Sequence, residues 1–254
     1  MKHHLNIMKS ITEENLKDFI TCPYKFYYEY IEKKKRPLDW RQVVQHVVNQ
    51  VVYSYFQLPI EQRHSTKVLA LVERYWSKVP PHIFESRIQY YTVAAKITDY
   101  LMQNLTTETD TAPPLLLFEK FKTHVHELDV DLSLTFDVAE WSSSSFVVKK
   151  YLVEANAEML KLYFYITIVF SEKVFQKIPK RIEVVTLLDG KKHFFYPTPE
   201  NIHEGISYLQ LMKHLLGESS RFNGVYNEEE CPTCPFQNVC NRETQNGTQN
   251  RYLS

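Results

Sequence analysis

Apolar and polar residues alternate differently in the two halves of the chain. Up to about residue 105 the apolar positions recur every three to four residues, as on one face of a helix. The clearest case is the segment 41–56, where Val43, Val44, Val47, Val48, Val51, Val52 and Tyr55 line one face. Further helices are predicted over 66–77 and 86–105. The first is predicted from Thr12, a capping residue, to about residue 33. Glu13 and Glu14 fall in its opening turn, where the helix dipole favours acids. The stretch 106–114 is polar and ends in two prolines, as a linker does.

Beyond it the period changes to two. Strands are predicted over 115–126, 128–141 and 146–153, with a serine turn at 142–145. A helix follows over 155–170. Segments 181–188 and 191–196 flank Asp189-Gly190, a strong hairpin signal. A last helix covers 200–216. Polar residues 217–230 lead into a cysteine cluster, and the Asn- and Gln-rich tail 243–254 reads as disordered. The expected fold class is therefore α/β or α+β, a small mixed sheet flanked by helices. Within one domain, a helical part (10–114) precedes a sheet core (115–198), then a helix with the cysteine cluster (199–242).

Composition narrows the function little. Thirty Lys and Arg balance thirty Asp and Glu, so any nucleic-acid contact must rest on a local basic patch. The basic run from Lys33 to Arg36 has a plain alternative as a solvated helix end. With five glycines there is no Gly-rich phosphate loop. No apolar stretch has the length of a membrane span, and no secretory signal core opens the chain. The expected compartment is cytoplasmic, where four cysteines are poor candidates for two disulfides.

Those four cysteines carry the strongest chemistry. Cys231, Cys234 and Cys240 lie within ten residues, and Cys22 is the one other thiol. Soft thiolates suit iron–sulfur clusters and zinc. Zinc sites usually present two close pairs of ligands. One distant cysteine plus a compact three favours a four-thiolate cubane cluster, with zinc as the competitor.

The stretch Cys22-Pro-Tyr-Lys-Phe-Tyr-Tyr-Glu-Tyr, together with the C-terminal spacing, resembles the iron–sulfur nucleases of the PD-(D/E)XK superfamily. That group includes the nuclease domain of the AddB subunit of bacterial helicase–nucleases and the small CRISPR-adaptation nucleases. The likeness spans residues 10–240, strong at both ends and weak between. It implies a [4Fe–4S] cluster on Cys22, Cys231, Cys234 and Cys240 that ties the two ends of the domain together. It also implies a Mg²⁺ or Mn²⁺ centre. His46 falls at the helical metal-binding His, with Gln42 where a glycine is usual. Asp137 falls at the strand Asp, with Leu134 in place of glycine. Lys150 falls at the catalytic Lys, but Val148 then stands where the second acid belongs. A shift by one residue puts Lys149 there instead. Lys161 and Tyr165 match a Gln-x-x-x-Tyr pair with Lys for Gln.

Glu158 or Glu154 could supply a migrated acid. Glu158, Lys161 and Tyr165 share a helix face, though Glu158 and Lys161 would equally make an ordinary helical ion pair. Several motif positions have changed together, which fits decay of catalysis. The leading expectation is a DNA-binding or scaffolding protein with a lost nuclease centre. Its setting would be DNA repair, recombination or phage defence, beside a helicase, nuclease or defence-complex subunit. An active metal-dependent DNA nuclease is the second reading. A structural zinc protein is the third.

Overall fold

The computed structural model describes residues 10–35, 39–106 and 113–217, together with Cys231, Cys234, Phe236, Gln237 and Cys240. The expected tail 243–254, the polar stretch 217–230 beyond its first residue, and most of the linker 106–114 lie outside the described residues. So does Arg36 of the basic run.

A short strand, β1 (Ser10–Thr12), leads directly into helix α1 (Glu13–Thr21). Thr12 caps that helix by accepting from the Asn15 N–H, and Asn15 reciprocates toward the Thr12 N–H. The expected single helix to residue 33 is broken at Cys22. There the backbone is extended, at φ −162° and ψ 110°, because a residue before proline is pushed out of the helical region. Pro23 then opens a short turn, α2 (Pro23–Phe26), which loosens into one π-helical turn (Tyr27–Ile31). The break holds Cys22 at a corner rather than inside a helix.

Helices α3 (Trp40–Gln57), α4 (Ser65–Trp76) and α5 (Arg87–Thr106) follow as the periodicity predicts. Asp39 caps α3 through the Arg41 N–H. The hairpin of β2 (Leu116–Val125) and β3 (Val130–Trp141) comes next, then β4 (Phe146–Leu152). Helix α6 (Ala157–Phe175) starts two residues later than expected because Asn156 caps it through the Met159 N–H, and it runs five residues further. The hairpin of β5 (Arg181–Thr186) and β6 (Lys191–Phe195) and helix α7 (Glu200–Gly217) complete the described chain. Gly190 in the β5–β6 turn has φ +69°, and a Cβ there would collide with the ring of Tyr100.

The six strands form one mixed sheet in the order β1-β3-β4-β5-β6, with β2 on the other edge of β3. β1 and β4 share one edge of β3. β1 pairs parallel with residues 131–133, and β4 pairs antiparallel with residues 138–141. Residues 134–137 of that edge are left uncovered between them. One hydrophobic core lies between the sheet and α1, α6 and α7, built from residues such as Leu16, Leu132, Phe136, Val148, Leu162, Ile166 and Leu209. A second lies between the opposite face and α3, α4 and α5, with Val44, Val48, Val51, Ile97, Leu101, Tyr151 and Val185. The molecule is thus a mixed α/β structure with helices on both faces. Among the described residues no helix is long and apolar enough to cross a membrane.

Candidate functional site

The uncovered stretch of β3 is where the polar groups collect. Val130, Leu132, Leu134 and Phe136 pack into the first core, but the next residue to do so is Ala139, and Val138 belongs to the second core. The alternation slips by one residue at Asp137. Opposite it on β2, Phe118 has a left-handed backbone, φ +49°, and the ladder pairs Glu119 with Phe136 and Leu117 with Val138 but not Phe118 with Asp137. Asp137 therefore sits at a local distortion. It lies inside β3 and not at its end, because the strand continues to Trp141 as the partner of β4.

Lys150 of β4 reaches into the same gap. Its Nζ lies 2.7 Å from Glu13 Oε1 and 3.3 Å from Asp137 Oδ1. The ammonium also stands 4.9 Å from the ring centre of Tyr163, whose hydroxyl bonds Glu13. Glu13 is delivered by β1, which lies parallel to β3 and ends one residue before it. A cleft of about 300 Å³ opens over this group, lined also by Lys17, Gln45, Asn49, Phe118, Lys120 and Thr135.

Burial raises Asp137 above the ordinary carboxylate range, opposed by Lys150 and reinforced by the negative Glu13. For Lys150, burial acts to lower its pKa. Asp137 and Glu13 outweigh it, so the lysine is held charged well above its usual range. Burial, with the charge of Glu13, pushes the Tyr163 phenol well up. At neutral pH the arrangement is a positively charged Lys150 between two acids, with a neutral Tyr163 donating to one of them.

Several expected site residues lie elsewhere. His46 is exposed and does not line the cleft; Gln45 and Asn49 take the inward face of α3. Gln45 is spent on the fold, donating to the Tyr151 carbonyl at 2.8 Å and accepting from the Val153 N–H at 2.9 Å. Glu154 pairs with Arg41. Lys161 and Tyr165 project toward α7, with Lys161 over the Tyr208 ring and Tyr165 tilted against Tyr208 beside Glu204. Glu158 acts electrostatically on that same Tyr208. The helix face that periodicity offered as catalytic is an α6–α7 packing face, and the one residue of α6 lining the cleft is Tyr163. Val148 is buried in the first core, so the motif's second acid has no place there. Lys149 points to the opposite side of β4, where it pairs with Glu140 at 2.8 Å. Glu13 and Tyr163 are the residues that sequence reasoning missed. Glu13 had read as a helix-dipole acid, which it also is.

The second candidate site is the cysteine segment. None of the four cysteines is in a disulfide, and all are half-buried. Phe236, two residues after Cys234, is buried and stacks on Tyr28 with ring centres 5.1 Å apart. Tyr28 packs in turn at a tilt against Tyr24, two residues after Cys22. The C-terminal segment is thereby seated on the helix that starts at Cys22. Among the described residues no three His, Cys, Asp or Glu side chains converge as the ligands of a metal ion. The chemistry of the donor set and the docking of the segment fit a thiolate-bound metal; a closed ligand cage is not formed by these side chains alone.

No known protein family and no curated protein matches the sequence. Among solved structures, the chain is similar to the crystal structure of a candidate exonuclease from Eubacterium rectale. The two share 10% identity over 99% of this chain and 93% of the other, at a TM-score of 0.47. A likeness this loose assigns neither a fold family nor an activity.

Proposed function

We propose that this chain is a DNA-binding or scaffolding protein built on a PD-(D/E)XK-type core whose nuclease centre no longer binds a catalytic metal. The observation that carries the reading is the position of Lys150. Its ammonium spans Glu13 and Asp137, so part of the positive charge that two acids would otherwise draw from a divalent cation is supplied from within the chain. The acid expected two residues before Lys150 is a core valine, Val148. A divalent cation placed on Asp137 would have to displace the lysine or sit beside it, at a Coulombic cost. Without that cation a scissile phosphate gains no Lewis-acid assistance.

In the same reading, Cys22, Cys231, Cys234 and Cys240 hold a [4Fe–4S] cluster. The Tyr28–Phe236 stack supports it by bringing the two cysteine-bearing segments onto one another. The cluster would supply a covalent link between the ends of the domain. The cellular setting proposed is DNA repair, recombination or phage defence, alongside a helicase, nuclease or defence-complex subunit.

One observation favours a second reading, an active nuclease. Glu13 and Asp137 share one ammonium, so Glu13 offers the second acid that Glu154 and Glu158 do not. The deciding experiment is cleavage of linear duplex and single-stranded DNA in Mg²⁺ and Mn²⁺ by anaerobically purified protein, alongside Asp137→Ala and Glu13→Ala. The expected result is no metal-dependent cleavage by any of the three. Cleavage by wild type that both substitutions abolish would overturn the inactive reading in favour of the active one. Iron analysis of the same preparation tests the cluster, with stoichiometric zinc and no iron as the refuting result.

A further inference from the structure

Phe118 is an aromatic residue inside a β-strand with a left-handed backbone, φ +49°. A bulky residue with a Cβ pays for that conformation, and such strain persists where surrounding structure enforces it. At this position it interrupts the β2–β3 ladder opposite Asp137 and places the ring on the wall of the cleft. On the facing helix, Gln45, Asn49 and Tyr53 follow one another at i, i+4 and i+8, so they share a face, and the first two line the cleft. Tyr53 continues that face outward. It is 42% exposed, although it meets Phe118 edge-on with ring centres 6.1 Å apart. An exposed tyrosine against a strained phenylalanine is a poor use of apolar surface for stability alone.

The charges around the pair are selective. Glu13 and Asp137 are taken up by Lys150, as described above. Lys17 and Lys120 remain on the cleft wall to face an incoming anion, with Glu14 the acid that opposes them. A ligand that suits this surface has a flat π-face for the Tyr53–Phe118 corner and a phosphate for the lysines. A paired base offers its face only at a helix end, whereas an unpaired base offers it anywhere along a strand.

We infer that Tyr53 and Phe118 form a stacking corner for an unpaired nucleobase of single-stranded DNA, whose backbone phosphates are held by Lys17 and Lys120. This rests on the DNA-binding reading above and names its substrate class. The test is fluorescence anisotropy of the full chain with a short fluorescein-labelled oligothymidine and with a blunt duplex carrying the same label. The single strand is expected to bind more tightly. Tyr53→Ala is expected to weaken it about tenfold, the size of one lost base stack, and Tyr53→Phe to restore it. Lys120→Gln should weaken binding and flatten its salt dependence. Phe118→Gly relieves the backbone strain, so it should weaken binding while the melting temperature falls less than loss of a packed ring implies. That combination separates a binding defect from a folding defect. Equal binding of both probes, unaffected by Tyr53→Ala and Phe118→Gly, would overturn the inference and leave the DNA-binding reading standing. No binding of either probe by wild type would overturn both.

Discussion

The Asp137 cleft and the cysteine segment differ in what would complete them. At the centre of the cleft the polar groups are joined within the chain: Lys150 stands between Glu13 and Asp137, and Tyr163 donates to Glu13. Low-dielectric surroundings make that closure necessary, because an unpaired buried charge is costly. The cysteine segment is seated by aromatic stacking, yet its thiols do not assemble into a ligand cage of their own. An ammonium held between two acids competes with any cation for them. Under the proposed reading, the four thiols on two docked segments would be connected by a metal cluster. The comparison teaches that a recognisable motif residue, here Lys150, can close a site as readily as it can equip it.

The largest effect is expected at the cysteine site. Cys22→Ala should abolish iron binding, measured as iron per chain and as loss of broad absorbance near ~400 nm. A link from Cys22 to the C-terminal cysteines closes a very long loop. By analogy with other long-loop cross-links its loss should cost on the order of 4 kcal/mol, read from denaturant unfolding under anaerobic conditions. An unchanged unfolding midpoint would show that the segment is held by stacking alone, and the contrast between the two sites would collapse.

Next comes the lysine of the cleft. Lys150→Met leaves Glu13 and Asp137 facing each other across a partly open cleft, at a cost of about 3 kcal/mol. Lys149→Met is the sharpening control on the opposite face of the same strand. It should cost about 1–2 kcal/mol, because Glu140 retains access to water. Urea unfolding of both variants checks the order. If the Lys149 variant is the less stable, the cleft is not the more demanding of the two ion clusters.

A smaller and pH-dependent effect is expected at Asp137. Burial raises its folded pKa above the unfolded carboxylate value of ~3.9. Its favourable contribution is therefore fully present below the unfolded value and is lost as pH rises through the raised folded value. Asp137→Asn removes that titration. The melting temperature of the variant relative to wild type should thus rise across this window from acid toward neutral pH. A difference that stays constant with pH would show that Asp137 titrates normally. The smallest effect is at the aromatic seat: Tyr28→Leu keeps apolar bulk but removes the stack on Phe236, for about 1 kcal/mol and faster loss of iron during buffer exchange.

Much of this architecture was legible along the chain. Val44, Val48, Val51 and Val52 at helical spacing all proved buried, and Asp189-Gly190 does turn the β5–β6 hairpin, because periodicity and turn chemistry act over a few residues. The cysteine spacing is likewise a local property. Asp137 and Lys150 were found as motif positions, and they do meet. Three things required the tertiary structure. The one-residue choice between Lys149 on the wrong face and Lys150 on the right one depends on strand pairing, since a shift by one residue reverses every side chain. Tyr163 and not Tyr165 faces the cleft, because α7 covers the neighbouring face of α6. And Glu13, more than a hundred residues from Asp137 in sequence, reaches it only because β1 pairs in parallel beside β3. Spacing along the chain carries the short-range terms; which distant charges share a cavity is decided by how the sheet is assembled.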